Sequence, residues 1–363
     1  MPRGRQPALT TPATPAPPDN RPGYTRRVTR PAADPPDAVA AAARARAEAR
    51  AAADWSRADA LRAEIEAAGW KVVDRGTAFA LEPAVPPTID DGSVVRYGAA
   101  EAVPSLLDAP PTARFTVELV ADDRPDDLAR ALAGLRAHAP AGTQVVVVAN
   151  LPTAEQAARL APGQPDLDPI AGAAPEVVWT SARLGHAAAR NVGLRRAAGA
   201  IVVLADSSIE PVGDPLTPLE AALADPVVAV TGGFGLVAAD LRHFADAPGP
   251  DVDAIELGWL AFRREDHTAL GPLDERFVVD RHLDTWWSLA LRAGADDGRP
   301  PRVARRLDLP LLRHGERGTT SVPASQRDRL AKRNFYRVLD RFRDRPDLLS
   351  GAPVVRLSPD AEA

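Results

Sequence analysis

The stretch GHAAARNVGLRRAAGAIVVLADSSIEP, from Gly185 to Pro211, constrains the fold more than any other part of the chain. A Gly-His pair leads into a helical segment carrying Arg190 and Asn191, Gly199 stops it, and the run Ile201-Val202-Val203-Leu204 follows. Four aliphatic residues in succession, three of them β-branched, predict a short buried strand. Asp206 stands at its carboxyl end, with Ser207, Ser208 and Glu210 behind it and Pro211 barring further ladder pairing. In an open α/β sheet, ligands gather at the carboxyl ends of strands.

The segments before this stretch supply its partner strands. Phe115 to Val120 has strand character and ends at Asp122-Asp123; a helix with Leu128, Leu132 and Leu135 on one face follows, and Asp126-Asp127 suit its positive end. Val145 to Val148 is a continuous β-branched run, as in a strand covered on both faces. A helix around Thr153 to Leu160 leads to a further strand at Val177-Val178-Trp179. This cadence implies right-handed βαβ crossovers, hence an α/β fold with a mostly parallel sheet. Neither GxGxxG after the first strand nor GxxxxGK[ST] is present, which argues against dinucleotide and P-loop readings.

The flanks read differently. Residues 1–36, rich in Pro, Ala, Thr and Arg without apolar periodicity, are expected to be a disordered tail. Residues 37–84 form a small helical module: Trp55, Ala58, Leu61, Ile65 and Ala68 give a face to a helix starting near Ser56, Gly69 stops it, and strands follow at Trp70 to Val73 and Ala78 to Leu81. Residues 85–112 read as a Pro-rich linker, 113–322 as the main domain, 323–346 as a C-terminal helix with Leu330, Asn334, Val338 and Phe342 on one face, and 347–363 as a second disordered tail. With 45% hydrophobic residues the 363-residue chain has enough apolar content for a core, and its net charge of −5 fits neither a nucleic-acid binder nor a polybasic membrane protein. No apolar run nears the roughly 18 residues a spanning helix needs, no secretory signal is readable, and a cytoplasmic location is the default. The absence of cysteine excludes disulfides, thiolate metal sites and cysteine nucleophiles.

From about Phe115 to Gly318 the chain resembles a family 2 glycosyltransferase. The likeness lies in the order of several segments: the opening strand ending in Asp122, ARNVGLRRAAGAIVVLADSS, Gly232-Gly233, LGPLDERF, LDTWWSLALRAGA and a late Arg313-His314. It implies a single nucleotide-sugar-binding domain of the GT-A type, transferring a hexose from a nucleotide-diphosphate donor to an acceptor hydroxyl with inversion. The run from about 43 to 83, including GWKVVDRG, resembles the C-terminal helical segment of cysteinyl-tRNA synthetases and reads as a docking or packing appendage, for a protein ahead of RNA.

Glycosyl transfer from such a donor builds negative charge on the leaving diphosphate, which a divalent ion held by carboxylates, or fixed cations, must meet. Asp206 is placed to hold Mg²⁺ or Mn²⁺, with His314 as a second ligand candidate and His186 as an alternative that lines the donor pocket. Asp122, Arg190 and Asn191 complete the expected donor contacts. Two departures from the family pattern stand out: Asp206-Ser207-Ser208 replaces an Asp-x-Asp, and Ala149-Asn150 ends the second strand where an Asp is usual. For the base that takes the acceptor proton, Asp284 is the first choice and Asp280 the second. Asp284 is equally suited to cap a helix from Thr285 to Ala293, where the amides should depress its pKa. One of Trp286 and Trp287 is expected in the core and the other against an acceptor sugar, while Asp274 either meets acceptor hydroxyls or sits in a solvated turn. The alternative to an enzyme is a non-catalytic glycosyltransferase-like module that binds a nucleotide or glycan, or acts as a scaffold.

Overall fold

The computed structural model describes residues 35–75, 78–121, 123–294, 301–315 and 322–349. Two compact units divide between Ala84 and Val85. In the first, α1 (Asp37–Ala51) and α2 (Trp55–Ala67) precede a hairpin of β1 (Trp70–Arg75) and β2 (Ala78–Pro83). Asp54 caps α2 by accepting from Arg57 N–H, and Gly69 takes the positive φ that ends the helix turn. Val39, Ala43, Ile65 and Trp70 form the small core, while Trp55 is 61% exposed rather than on the buried face. Arg46, itself buried, joins α1 to the hairpin through two bonds to Asp74, whose carboxyl is held below its usual range by that guanidinium.

The second unit begins with β3 (Ile89–Asp90) and β4 (Val95–Tyr97). Alternation follows: β5 (Ala113–Ala121), α3 (Pro125–His138), β6 (Thr143–Ala149), α4 (Ala154–Arg159), β7 (Glu176–Thr180), α5 (His186–Leu194), β8 (Gly199–Ala205). Next come β9 (Ile209–Pro211), α6 (Thr217–Leu223), β10 (Val228–Gly232), β11 (Gly235–Asp240), β12 (His243–Ala247), β13 (Asp251–Val252), β14 (Ala254–Ile255) and β15 (Trp259–Arg263). The described chain closes with α7 (Arg264–Leu270), α8 (Leu283–Ala293), β16 (Val303–Arg306), β17 (Leu311–Arg313) and α9 (Ala324–Phe342).

Ten strands form the main sheet in the order β13-β16-β10-β15-β8-β5-β6-β7-β4-β3. Pairing is parallel from β8 through β5, β6 and β7 to β4, and β15 inserts antiparallel between β10 and β8. The α/β fold with a large, mostly parallel sheet is therefore as the sequence implies. Residues of opposite parity feed opposite faces: Val145 and Val147 pack with α3, whereas Val146 and Val148 pack with Val192 of α5. A strand covered on both faces cannot alternate apolar with polar, which explains the unbroken aliphatic runs.

Residues 85–112 differ from the linker reading. Val95–Tyr97 extends the parallel sheet beside β7, and Val103, 1% exposed, packs with Val146 and Val148. Arg195 Nε donates to Val103 O at 2.7 Å, Arg196 to Pro104 O at 2.8 Å, and Leu106 N–H to Arg195 O at 2.7 Å. The prolines interrupt local periodicity, so the segment's tertiary pairing leaves no pattern in the sequence. A chain starting at Val85 should melt cooperatively. One starting at Pro110 should lose about 2–3 kcal/mol or more, lowering Tm by about 5 °C or more in a thermal scan; equal melting temperatures would return the segment to a linker.

Candidate active site

The β8–β15 ladder pairs Ala205 with Trp259 and continues one step further, Asp206 N–H donating to Gly258 O at 3.0 Å. The strand-end acid is thereby set beside residues 256–258. Its Oδ1 accepts the Ser208 N–H at 2.8 Å, the local turn closing on the hydroxyl residue that replaces a second acid. A cavity of about 620 Å³ opens here, within the usual size of a small-molecule site. Asp206, Ser208, His186, Arg190, Glu256, Asp280, Asp284 and Arg313 are among its walls.

Helix α8 brings Asp284 to this cavity. Ser288, one turn on, exchanges bonds with both backbone groups of Ile255, at 3.1 Å from its N–H and 3.3 Å to its O, so the face holding Ser288 and Asp284 lies against the β14 edge and Glu256. The helix starts at Leu283 rather than Thr285, and its N-cap is His282, held in the left-handed region at φ 69° without a side-chain cap bond. Asp284 is thus inside the first turn, accepting Thr285 N–H at 2.7 Å, and is not the cap. The expected depression of its pKa is reversed. Burial pushes the carboxyl up to about 6, the charges of Glu256 and Asp280 add to the rise, and the Thr285 amide opposes it.

His186 opens α5 on the opposite wall. Burial and the Arg190 charge push its imidazole down to about 4 against the opposing pull of Asp280 and Asp206, so it is neutral at pH 7, and its Nε2 has no hydrogen-bond partner among the described residues. Arg190 is 2% exposed and donates to Glu118 O at 3.2 Å and Ala205 O at 3.0 Å, tying β5 to β8 directly beneath the cavity.

Other expected site residues are engaged elsewhere. Asn191 is buried, donates to Leu273 O and Glu275 Oε1, and accepts Leu273 N–H, so its amide holds the 273–275 loop rather than a ligand. Asn150 is likewise bound to both backbone groups of Leu184. Asp122 lies outside the described residues. Trp286, Trp287 and Asp274 line a separate cavity of about 520 Å³ together with Arg337 and Arg341. A two-residue step on a helix turns about 200°, which puts Trp286 on the side of α8 away from Asp284. Its ring stacks against Trp287 at 6.1 Å with the Arg341 guanidinium at 4.9 Å, and Asp274 is held by Arg276.

The fit to a divalent ion rests on Asp206. His314 closes on Glu210 at 2.6 Å instead of joining Asp206: the antiparallel register pairs Glu210 with Leu312 and continues to His314 N–H on Ser208 O, which leaves Glu210 and His314 diagonal neighbours on one face. Among the described residues no group of three His, Cys, Asp or Glu side chains forms a metal site. One carboxylate and the Ser208 hydroxyl do not by themselves make a protein-held metal centre.

Glu256, Arg313 and Glu118 are absent from the sequence-level site. Arg313 donates to Glu256 at 2.8 Å and lies 3.9 Å over the Phe234 ring. A side chain at Gly258 would reach within 3.2 Å of both, so glycine there keeps the stack. The late Arg313-His314 pair carried a signal for Arg313; nothing in DAIELGW singles out Glu256.

No protein-family profile and no curated protein matches the chain. Among solved structures it resembles a mannosyltransferase of Pyrobaculum calidifontis in complex with GDP-Man and Mn²⁺ (24% identity over 57% of this chain and 59% of that one, TM-score 0.40). It also resembles GalNAc-T7 with UDP, GalNAc and Mn²⁺ (15% identity over 63% and 48%, TM-score 0.47) and TarS of S. aureus (16% over 53% and 35%, TM-score 0.40). The chain thus spans less than two thirds of the length of each of these. No helix among the described residues is long and apolar enough to cross a membrane.

Glu118 supplies a pH test of the buried floor. Its side chain is fully buried, Arg190 Nη1 is 3.9 Å away, and burial lifts its pKa from 4.5 to about 8 against the Arg190 charge. Between these values the folded state holds a proton that the unfolded chain has lost, so Glu118's contribution to stability declines as pH rises from about 4.5 to 8. Glu118→Gln removes that dependence. Urea unfolding at pH 5, 6.5 and 8 should show stability of the variant relative to wild type rising with pH; a constant difference would contradict the assignment.

Proposed function

We propose that the cavity beside Asp206 binds a nucleotide-diphosphate sugar and transfers its sugar, a hexose, to an acceptor hydroxyl with inversion, as in family 2 glycosyltransferases of the GT-A type. The observation that supports this most is Asp284: a half-buried carboxyl pushed up to about 6 by desolvation, in the same cavity as the acid at the end of β8. It is largely ionised at pH 7 yet more basic than an ordinary aspartate, as a general base needs to be. On this reading a carboxylate oxygen of Asp284 takes the acceptor's hydroxyl proton as the acceptor's oxygen bonds to the anomeric carbon. The bond to the diphosphate oxygen breaks, and its electron pair leaves with the nucleoside diphosphate. Asp280 is the second candidate for the base. Arg190, Arg242, Arg281 and Arg313 in the cavity walls supply positive charge for the leaving group. A divalent ion bound jointly by Asp206 and the donor's phosphates would act as a Lewis acid there.

Ser208, where the family carries a second acid, supports one other reading: a glycosyltransferase-like module that binds a nucleotide or glycan without turning it over. Kinetics separate the two. Asp284→Asn should leave folding and nucleotide-diphosphate affinity near wild type while turnover falls about 10²–10⁴-fold. Wild-type turnover should rise through about pH 6 as Asp284 ionises. Turnover within a few-fold of wild type in Asp284→Asn, with loss in Asp280→Asn, would transfer the role to Asp280. Wild-type protein that binds nucleotide sugar without turnover would favour the module.

Calorimetric titration of nucleoside diphosphate in EDTA and in Mn²⁺ tests the strand-end acid. Asp206→Asn should weaken binding and remove any dependence on the ion. Equal affinity in wild type and variant under both conditions would take Asp206 out of the site.

A further inference from the structure

The loop from Phe277 to Leu283 carries Asp280, delivers Asp284 into α8 and is held from two directions. On one side the first amides of α5 bind it: His186 N–H donates to Val278 O at 2.9 Å and Ala187 N–H to Phe277 O at 3.1 Å. These helix-start amides, which a free helix would offer to a ligand, are therefore used by the chain itself. On the other side stands α9, whose Asn334 lies 53 residues beyond Arg281 in the sequence. Asn334, 0% exposed, donates from its amide nitrogen to Val279 O at 3.1 Å and Arg281 O at 2.9 Å, and its amide oxygen accepts from Arg337 Nη1 at 3.2 Å. The two acceptors are the carbonyls on either side of Asp280. The next residue, His282, is the left-handed turn into α8, and its ring packs against Phe335, the neighbour of Asn334, at 5.8 Å.

We propose that Asn334 is a positioning residue for the two-acid loop: its amide fixes the peptide plane that leads into Asp280 and the one between Arg281 and His282 and, through the His282 turn, the direction from which Asp284 enters the cavity. The inference deepens the transferase reading, and its geometry does not depend on which sugar is moved. The buried Leu330, Val338 and Phe342 dock α9 as an apolar stripe, and Val338 and Phe342 belong to the core shared with α8. Packing of that stripe requires no amide at position 334; an aliphatic residue would continue it. What an aliphatic residue cannot do is donate to two carbonyls that turn back from a left-handed residue.

The test reads the acid directly, whatever the activity. In protein labelled with ¹³C at the Asp carboxyls, the resonance lost in Asp284→Asn identifies Asp284, which in wild type titrates near 6 beside Glu256 and Asp280. Asn334→Ala frees both carbonyls and should move that midpoint by at least about half a pH unit, while Asn334→Ser, which retains one donor, should move it less. If Asn334→Ala does not fold, Asn334→Ser carries the same comparison. Unshifted titration of Asp284 in folded Asn334 variants overturns the proposal. Where wild type is active, kcat should fall about 10–100-fold with nucleotide-diphosphate affinity unchanged, a misplacement effect. A lower Tm with wild-type kcat would also overturn it. An inactive wild type defeats the transferase reading alone, because the carboxyl titration still decides the role of Asn334.

Discussion

The antiparallel insertion of β15 next to β8 is the arrangement on which the rest of the candidate site depends. The parallel strands β8, β5, β6 and β7 would by themselves end in a row of loops. With β15 running the other way, the residues that lead into it, Glu256 to Gly258, lie against the residues that leave β8, Asp206 to Ser208. One ladder therefore joins the end of one strand to the start of another, and both contribute side chains to one cavity. The Ser288 bonds to Ile255 then add α8 to the same edge, and with it Asp284. Backbone pairing, rather than any contact between the acids, brings Asp206, Glu256 and Asp284 together.

Such an assembly works against the ionised form of Asp284. Desolvation raises the cost of ionising Asp284, and the charges of Glu256 and Asp280 add to it, so this carboxyl gains protons near pH 6. The structure offsets the remainder with Arg313, bonded to Glu256 and stacked on Phe234. Across the cavity floor the situation is inverted. Glu118 is buried beside Arg190, but the guanidinium donates to main-chain carbonyls of β5 and β8 instead of to the carboxylate. Gly193 makes this possible, since a Cβ there would fall within 2.7 Å of the Glu118 carboxylate.

The fold was legible because it is written in runs. Val145 to Val148 and Ile201 to Leu204 are unbroken aliphatic stretches, and only burial on both faces accounts for that in so short a span. Asp206 was legible for the same reason, as the first polar residue after such a run. Residues 85–112 were not, because their pairing partner, β7, is some 80 residues away and prolines erase the local period. Asn191 was misplaced by its neighbourhood: the residue beside Arg190 faces away from the cavity and holds the loop at Leu273. For Asp284 the sequence showed an acid at a helix start, where amides dominate. That Glu256 and Asp280 would also be there, and that packing would partly desolvate the carboxyl, are facts of tertiary structure.

On the transferase reading proposed above, the two faces of α8 bear on where an acceptor would lie. Trp286 and Trp287 were natural candidates for stacking on a sugar, since a pyranose presents an apolar C–H face to a ring. Yet Trp286 is sandwiched between Trp287 and the Arg341 guanidinium, and Trp287, 1% exposed, meets Phe262 and His267 edge-on. Both rings line the separate cavity beside Arg341, and helical geometry sets Trp286 across the helix from Asp284. On that reading, an acceptor whose hydroxyl reaches Asp284 would be held by the polar walls of its cavity, where Arg242, Asp246, Glu256 and Arg281 stand, and by the Phe234–Arg313 stack at its edge. Polar recognition of this kind suits a polyhydroxylated acceptor better than an apolar one, because each unpaired buried hydroxyl would cost free energy and each paired one would not.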